Sequence, residues 1–105
     1  MSNNSIVEYL RKNWGNKTLS EIQFFLQIDL YELLVIAFNN NLHKLKTDNI
    51  SRLWTKEEEQ FLVNYAEMLS TVSASNLLYR SRHAVYERAN LLNIYPKMIK
   101  KKRKV

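Results

Sequence analysis

The chain has 105 residues, of which 46% are hydrophobic, and its formal net charge is +6. This length allows one ordinary domain or two very small ones, and the composition is typical of a folded protein. One glycine and one proline disfavour a many-stranded β fold, whose hairpins draw on these residues. The absence of cysteine excludes a disulfide scaffold and thiolate metal sites, and two histidines leave little for a zinc or catalytic cluster.

Three helical segments are predicted in the first half of the chain. Apolar residues recur at helical spacing in "SIVEYLRKNW", with Ser5 as the expected N-cap, until "GNKT" breaks the pattern. Thr18 and Glu21 form a capping-box sequence that opens "LSEIQFFLQ". The third segment is "IDLYELLVIAFNNN", with Asp29 as N-cap. Its three asparagines indicate a stop, because asparagine tolerates the left-handed conformation.

The second half repeats this plan. Thr55 and Glu58 form another capping-box sequence in "WTKEEEQFLVNYAEML", and the acidic run Glu57 to Glu59 suits the first turn because the helix dipole favours negative charge there. A short second segment, "STVSASNLL", follows. The third segment is "SRHAVYERANLL", with Ser81 as N-cap.

The two halves align with each other at an offset of 52 residues. The aligned pairs are Thr18 with Ser70, Leu26 with Leu78, Leu33 with Val85, Ala37 with Ala89, and Leu42 with Ile94. We predict an all-α protein of two tandem three-helix units, repeat one (residues 1–46) and repeat two (residues 47–96), with a basic tail (residues 97–105). Units of about 45 residues are near the lower limit for independent stability, so the repeats are expected to pack together.

Basic residues are concentrated in the last quarter of the chain. From Tyr79 to the end there are nine basic residues and one glutamate, whereas residues 1–96 hold ten of each sign. The tail contributes six cations: Lys97, Lys100, Lys101, Lys102, Arg103 and Lys104. This placement predicts a polyanionic partner, and the alternative is a solvated tail.

Residues 52–95 contain "LWTKEEEQFLVNYA", a short second segment and "RSRHAVYERANLLNI", and through these motifs they resemble the Myb/SANT-like helix-turn-helix module. That family has a Trp, a Ser or Thr, an acidic run, an aromatic-rich first helix, and a third helix reading roughly "S-x-x-A-V-x-x-R-A-x-x-L". The matching residues are Trp54, Thr55, Glu57 to Glu59, Phe61, Tyr65, Ser81, Ala84, Val85, Arg88, Ala89 and Leu92. The resemblance implies that the third helix enters the major groove of DNA. Repeat one fits less well, because it lacks the Trp-Thr-acidic opening.

The third helix of repeat two has two faces. Val85, Ala89 and Leu92 lie at i, i+4 and i+7 and form the predicted buried stripe. The opposite face is predicted to contact DNA through His83, Tyr86, Glu87 and Asn90, with Arg80 and Arg82 at its N-terminal end. Arginine can bind guanine bidentately, asparagine can bind adenine, and Glu87 can accept from cytosine or pair with a neighbour. The alternative is a solvated helix surface.

The third helix of repeat one is chemically different. It holds Asp29 and Glu32, has no basic residue, and is apolar on nearly all sides. Such a helix is buried or forms an interface, and its acids would repel phosphate. We expect it to pack against repeat two, a second copy of the chain, or another protein. Four aromatic residues of repeat one are expected in the core: Trp14, Phe24, Phe25 and Phe38.

These patterns predict a small, sequence-specific double-stranded DNA-binding protein that regulates transcription, with no enzymatic activity, cofactor or metal. The alternative is a SANT-type protein-interaction module, or an accessory subunit of a DNA-acting complex, that binds a protein partner or itself through repeat one. No secretory signal is visible and "LLVIAF" is too short to span a bilayer, so an intracellular protein without membrane contact is expected.

The C-terminal sequence "KKKRKV" is similar to a monopartite nuclear localisation signal. A nuclear location would follow for a eukaryotic or viral source, and the cytoplasm or nucleoid otherwise. A targeting signal, a DNA-binding arm and an expression tag remain as three readings of this segment.

Overall fold

The named secondary-structure elements of residues 3–100, the part of the chain that a computed structural model describes, are all helices. The six α-helices are α1 (Asn3–Asn13), α2 (Leu19–Leu26), α3 (Leu30–Asn39), α4 (Lys56–Tyr65), α5 (Thr71–Leu78) and α6 (Arg82–Leu91). Short 3-10 helices follow α3, α4 and α6 at Leu42–Lys44, Ala66–Met68 and Tyr95–Lys97. The predicted all-α class is confirmed.

Capping residues set the starts of most helices. A side-chain oxygen accepts a hydrogen bond from the backbone N–H three residues on at Thr18, Asp29, Thr55, Ser70 and Ser81. Each such cap typically stabilises a protein by about 1 kcal/mol. The expected cap at Ser5 is wrong, because α1 already begins at Asn3 and Ser5 lies in its first turn.

The second and third helices of the two halves share their boundaries. α2 and α5 have eight residues each, α3 and α6 have ten each, and each later helix begins 52 positions after its counterpart. The residues that end α2 and α5, Gln27 and Tyr79, are both left-handed, and so are Asn41 and Asn93 after α3 and α6. The offset read from the sequence is therefore present in the backbone as well.

One hydrophobic core joins the two halves, with α3 at its centre. α3 contacts α1 in its own half and α4 and α5 in the other half. Leu30 and Leu34 of α3 are buried, whereas their counterparts on α6, Arg82 and Tyr86, are exposed. Of the three partners expected for α3, the structure shows the second half of the same chain. The radius of gyration, 13.5 Å, is close to the value of about 13 Å for a compact domain of this length.

Two of the four aromatic residues expected in the core lie outside it. Trp14 is buried and Phe38 packs against the core, but Phe24 and Phe25 on α2 are 79% and 55% exposed. Their counterparts on α5 are better covered, because the 3-10 helix Leu42–Lys44 packs on α5. Within residues 3–100 no equivalent segment covers Phe24. The expectation of burial is therefore wrong for these two phenylalanines.

The C-terminal turn is part of the fold. Met98 is 4% exposed, and the Ile99 N–H donates a hydrogen bond to the Leu69 carbonyl at 2.9 Å. The chain therefore stays packed to at least Ile99, so the first residues of the predicted basic tail belong to the folded part of the chain. Residues 101–105, which include Lys101, Lys102, Arg103 and Lys104, lie outside the described residues.

Candidate nucleic-acid interface

A buried ion cluster positions the start of α6. Glu58, in the first turn of α4, is 0% exposed and accepts hydrogen bonds from two arginines. Arg80 Nη2 lies 3.0 Å from Glu58 Oε1, and Arg52 Nη2 lies 2.7 Å from Glu58 Oε2. A buried carboxylate requires such partners, because removing it from water without compensation is costly. The cluster ties the linker between α3 and α4 (residues 40–55) and the turn before α6 to one point.

Arg80 belongs to this cluster and not to the exposed face of α6. It is 6% exposed, and its Nη1 and Nη2 also donate to the carbonyls of Arg52 and Leu53 at 2.8 and 2.9 Å. Arg80 was predicted on the outward, DNA-contacting side of α6, and its exposure there is corrected by the structure. Its guanidinium is buried and offsets the charge of Glu58. Burial lowers the pKa of Arg52, while the carboxylate of Glu58 opposes that effect.

Trp54 contacts two arginines, one on the inner side of α6 and one in the turn before it. The Arg80 Cζ lies 4.0 Å from the centre of the Trp54 ring, and the Arg88 Cζ lies 5.2 Å from it. Arg88 also pairs with Glu59 of α4, with 3.2 Å between Nη1 and Oε2. Stacking of guanidinium groups on an indole is a favourable cation–π arrangement. Together with the buried Val85 and Ala89, these contacts determine which face of α6 points outward.

The outward face of α6 carries the remaining residues predicted for it. Those residues are all exposed: Arg82, His83, Tyr86, Glu87 and Asn90. The predicted inner stripe also stands, since Val85 and Ala89 are buried and Leu92 packs partly buried against the core. The structure thus brings together an arginine, an asparagine and a tyrosine on one side of a single helix.

Contacts along this face are few and open to solvent. His83 Nε2 lies 3.4 Å from Glu87 Oε1, so of the two roles considered for Glu87 the structure shows pairing with a neighbour. Both side chains are largely exposed, and an exposed pair contributes little to stability. Tyr86 packs edge-on against Tyr95, with 4.8 Å between ring centres. The C-terminal turn therefore folds back beside α6.

Two basic residues of the C-terminal turn lie on the surface. Lys97 and Lys100 are both exposed. Lys100 Nζ lies 4.5 Å from the Tyr95 ring centre and donates to the Tyr95 carbonyl at 2.7 Å. Lys100 is therefore held near the outward face of α6 through Tyr95, whereas nothing in residues 3–100 ties down the Lys97 side chain by an ion pair.

Two open clefts meet at the N-terminus of α6 and share Ser81 and Arg82. One runs along α6 toward Tyr95. The other runs between α5 and the linker after α3, and it contains Lys44 and Lys46, which the sequence did not single out as site residues. Two lysines in a short polar linker look like ordinary surface residues until the fold places them beside Arg82.

Other kinds of site are not evident in residues 3–100. No group of three or more histidine or acidic side chains there is arranged to hold a metal ion. No helix in the same range is long and apolar enough to cross a membrane. Comparison with protein-family models, curated proteins and solved structures finds no match. Function has to be inferred from the residues of the site themselves.

Proposed function

We propose that this protein is a small, sequence-specific double-stranded DNA-binding protein that regulates transcription, with α6 in the major groove. The observation that carries the proposal is a polar, outward α6 face on a helix whose inner face is clamped to the core. A helix of ten residues is about 15 Å long, and the major groove, about 12 Å wide, admits one helix. Pre-set orientation of such a helix reduces the entropic cost of binding.

Individual side chains of α6 fit roles in base recognition. Arg82, Tyr86 and Asn90 follow each other at intervals of four and therefore share one stripe of the helix. Arg82 suits bidentate binding to guanine, and Asn90 suits adenine. His83 and Glu87 lie beside this stripe, with 3.4 Å between His83 Nε2 and Glu87 Oε1. Arg80 acts in this proposal only as a positioning residue.

The rest of the chain supports this helix. We propose that the two halves are tandem three-helix units of the Myb/SANT-like kind, supported by their shared boundaries at an offset of 52. The first unit keeps α3 in the core, so its acids do not need to approach DNA. The basic residues from Lys97 to Lys104 are proposed to contact phosphates, and nuclear targeting is the other role open to them.

The proposal is tested by fluorescence anisotropy on a duplex selected from a random pool. Arg82→Ala is expected to weaken binding to the selected duplex by about 1–3 kcal/mol, and to weaken binding to random duplex less. Arg11→Ala, an equal change of charge on exposed α1, is the matched control and should have little effect. No binding by the wild type at low salt, or equal losses in the two variants, would refute the proposal.

A protein-interaction module is the second candidate, and one observation favours it. Phe24 is 79% exposed on α2, and a large apolar side chain in that position suits contact with another protein. The docking surface would then be α2 and not α3, because α4 and α5 already cover α3. If Phe24→Ser abolished self-association of a chain that ignores duplex DNA, this candidate would replace the first.

A further inference from the structure

We infer that the linker between the two halves binds the DNA backbone, with Lys44 and Lys46 contacting phosphates next to the N-terminus of α6. The inference rests on the proposed function, because it extends the same DNA-binding surface. It gives the first half of the chain a direct part in binding, although α3 itself is acidic and largely covered. The shape, the charge and the anchoring of one cleft support it.

The cleft is formed by three parts of the chain. One wall is the linker after α3, another is α5, and the third is the turn that leads into α6. Its lining residues are Lys44, Lys46, Thr47, Asp48, Asn49, Val72, Ser75, Asn76, Arg80, Ser81 and Arg82. With α6 in the major groove, a DNA backbone beside the helix would meet this cleft at the helix N-terminus, because Arg82 lines both clefts.

The charge of the cleft suits a polyanion. Lys44, Lys46 and Arg82 are exposed, and none forms an ion pair with another residue in the range 3–100. Asp48 is the single carboxylate of the lining, and the charge of Arg80 is already offset by Glu58. Three unpaired cations therefore face one acid. The N-terminal end of the α6 dipole adds a further preference for negative charge.

The linker is held in place on both sides of the two lysines. Asn76 Nδ2 donates to the carbonyl of His43 at 2.9 Å, and Thr47 Oγ1 donates to the carbonyl of Asn76 at 2.8 Å. Asn76 of α5 therefore holds the backbone of His43 before Lys44 and the side chain of Thr47 after Lys46. A cation on an anchored backbone loses less conformational freedom on binding than one on a free tail.

Cations lie beside both clefts. Lys44 and Lys46 line the linker cleft, and Lys100 contacts Tyr95, which lines the other cleft. A helix in the major groove has a sugar-phosphate backbone on each flank, and about half or more of protein–DNA hydrogen bonds go to these backbones. In this arrangement Lys44 and Lys46 contact one of these backbones and Lys100 contacts the other.

The test compares two double variants of the full chain by fluorescence anisotropy across a salt series. Lys44→Ala with Lys46→Ala removes the linker charges, and Arg11→Ala with Lys12→Ala removes two exposed charges from α1, outside both clefts. Each neutralised phosphate contributes about 0.9 to the slope of log affinity against log salt. The linker variant should flatten the slope by about 1.8 and weaken binding to selected and random duplexes alike. The control should retain the wild-type slope.

The outcomes separate this inference from the proposed function. An unchanged slope in the linker variant, or the same flattening in the control, overturns the inference even if Arg82→Ala still impairs recognition. A flattened slope in the linker variant while Arg82→Ala has no effect supports the inference and rejects base reading by α6. Absence of binding by the wild type rejects both. Lys44→Gln with Lys46→Gln should reproduce the alanine result, which excludes an effect of local folding.

Discussion

Replacing Glu58 by glutamine should destabilise the fold far more than the same replacement at the neighbouring Glu59. Glu58 is fully buried and accepts hydrogen bonds from Arg52, Arg80 and the backbone of Thr55. Glutamine keeps the shape but removes the charge, so the guanidinium of Arg80 remains buried without an anionic partner. The Arg80 side chain cannot reach solvent instead, since it is only 6% exposed and is stacked on Trp54.

The magnitude follows from the burial of the two partners. Breaking a buried ion pair from one side typically costs about 3–5 kcal/mol. Because Arg52 is partly exposed and the amide oxygen can still accept a hydrogen bond, we expect about 3 kcal/mol here. Total stabilities of small domains are about 5–15 kcal/mol, so this loss is a large part of the whole. Glu59, whose pair with Arg88 is partly exposed, should cost less than about 1 kcal/mol.

Urea denaturation followed by circular dichroism measures both variants. With a slope of about 1–2 kcal/mol per M, the midpoint of Glu58→Gln should fall by about 1.5–3 M, and that of Glu59→Gln by under 1 M. Equal midpoints for the two variants would refute the reasoning, because they would show that Glu58 and Arg80 do not form a desolvated pair. Arg80 would then be available to contact DNA, as the sequence predicted.

Three further predictions concern the core, pH and the tail. Val85→Asp should unfold the protein, because it buries an unpaired carboxylate, whereas Leu91→Asp, at a position 68% exposed, should keep the melting temperature. Burial, and then the charge of Lys44, lower the pKa of His43. The unfolded chain therefore binds this proton more readily, so stability should be full above about pH 6.5 and decline as the pH falls below it, and His43→Gln should flatten that decline. Truncation after Lys100 removes four cations and should flatten the salt slope by at most about 3.6 without changing the preferred sequence. An unchanged slope would favour targeting as the role of the tail.

Local chemistry explains what was predictable from the sequence. The caps at Thr18, Thr55 and Ser81 depend on residues three positions apart, and each is present in the structure. The offset of 52 also follows from local patterns repeated along the chain. The outward face of α6 was predictable because Val85 and Ala89 define its opposite side by spacing alone.

What was not predictable depends on contacts between distant segments. Arg80 and Arg82 look equivalent in the sequence, and only the approach of Glu58 draws one of them inward. Phe24 looks like a core residue, but it is buried only if another segment covers α2 in the way that Leu42–Lys44 covers α5.

The same limit applies to the linker and to the C-terminus. The position of Lys46 beside α6 depends on the contacts of the linker with Asn76 of α5, which the sequence does not reveal. Met98, a single apolar residue after the proline, has no periodic pattern around it that would predict its burial.

Titration of the isotope-labelled full chain with its selected duplex, followed by NMR, tests the central claim that the outward face of α6 binds DNA. We predict that the largest chemical-shift changes fall on Arg82, Tyr86 and Asn90, with smaller changes in the linker at Lys44 and Lys46. The α2 surface should remain unchanged. Changes confined to α2 around Phe24, or no change at saturating duplex, would show that the outward face of α6 does not bind DNA.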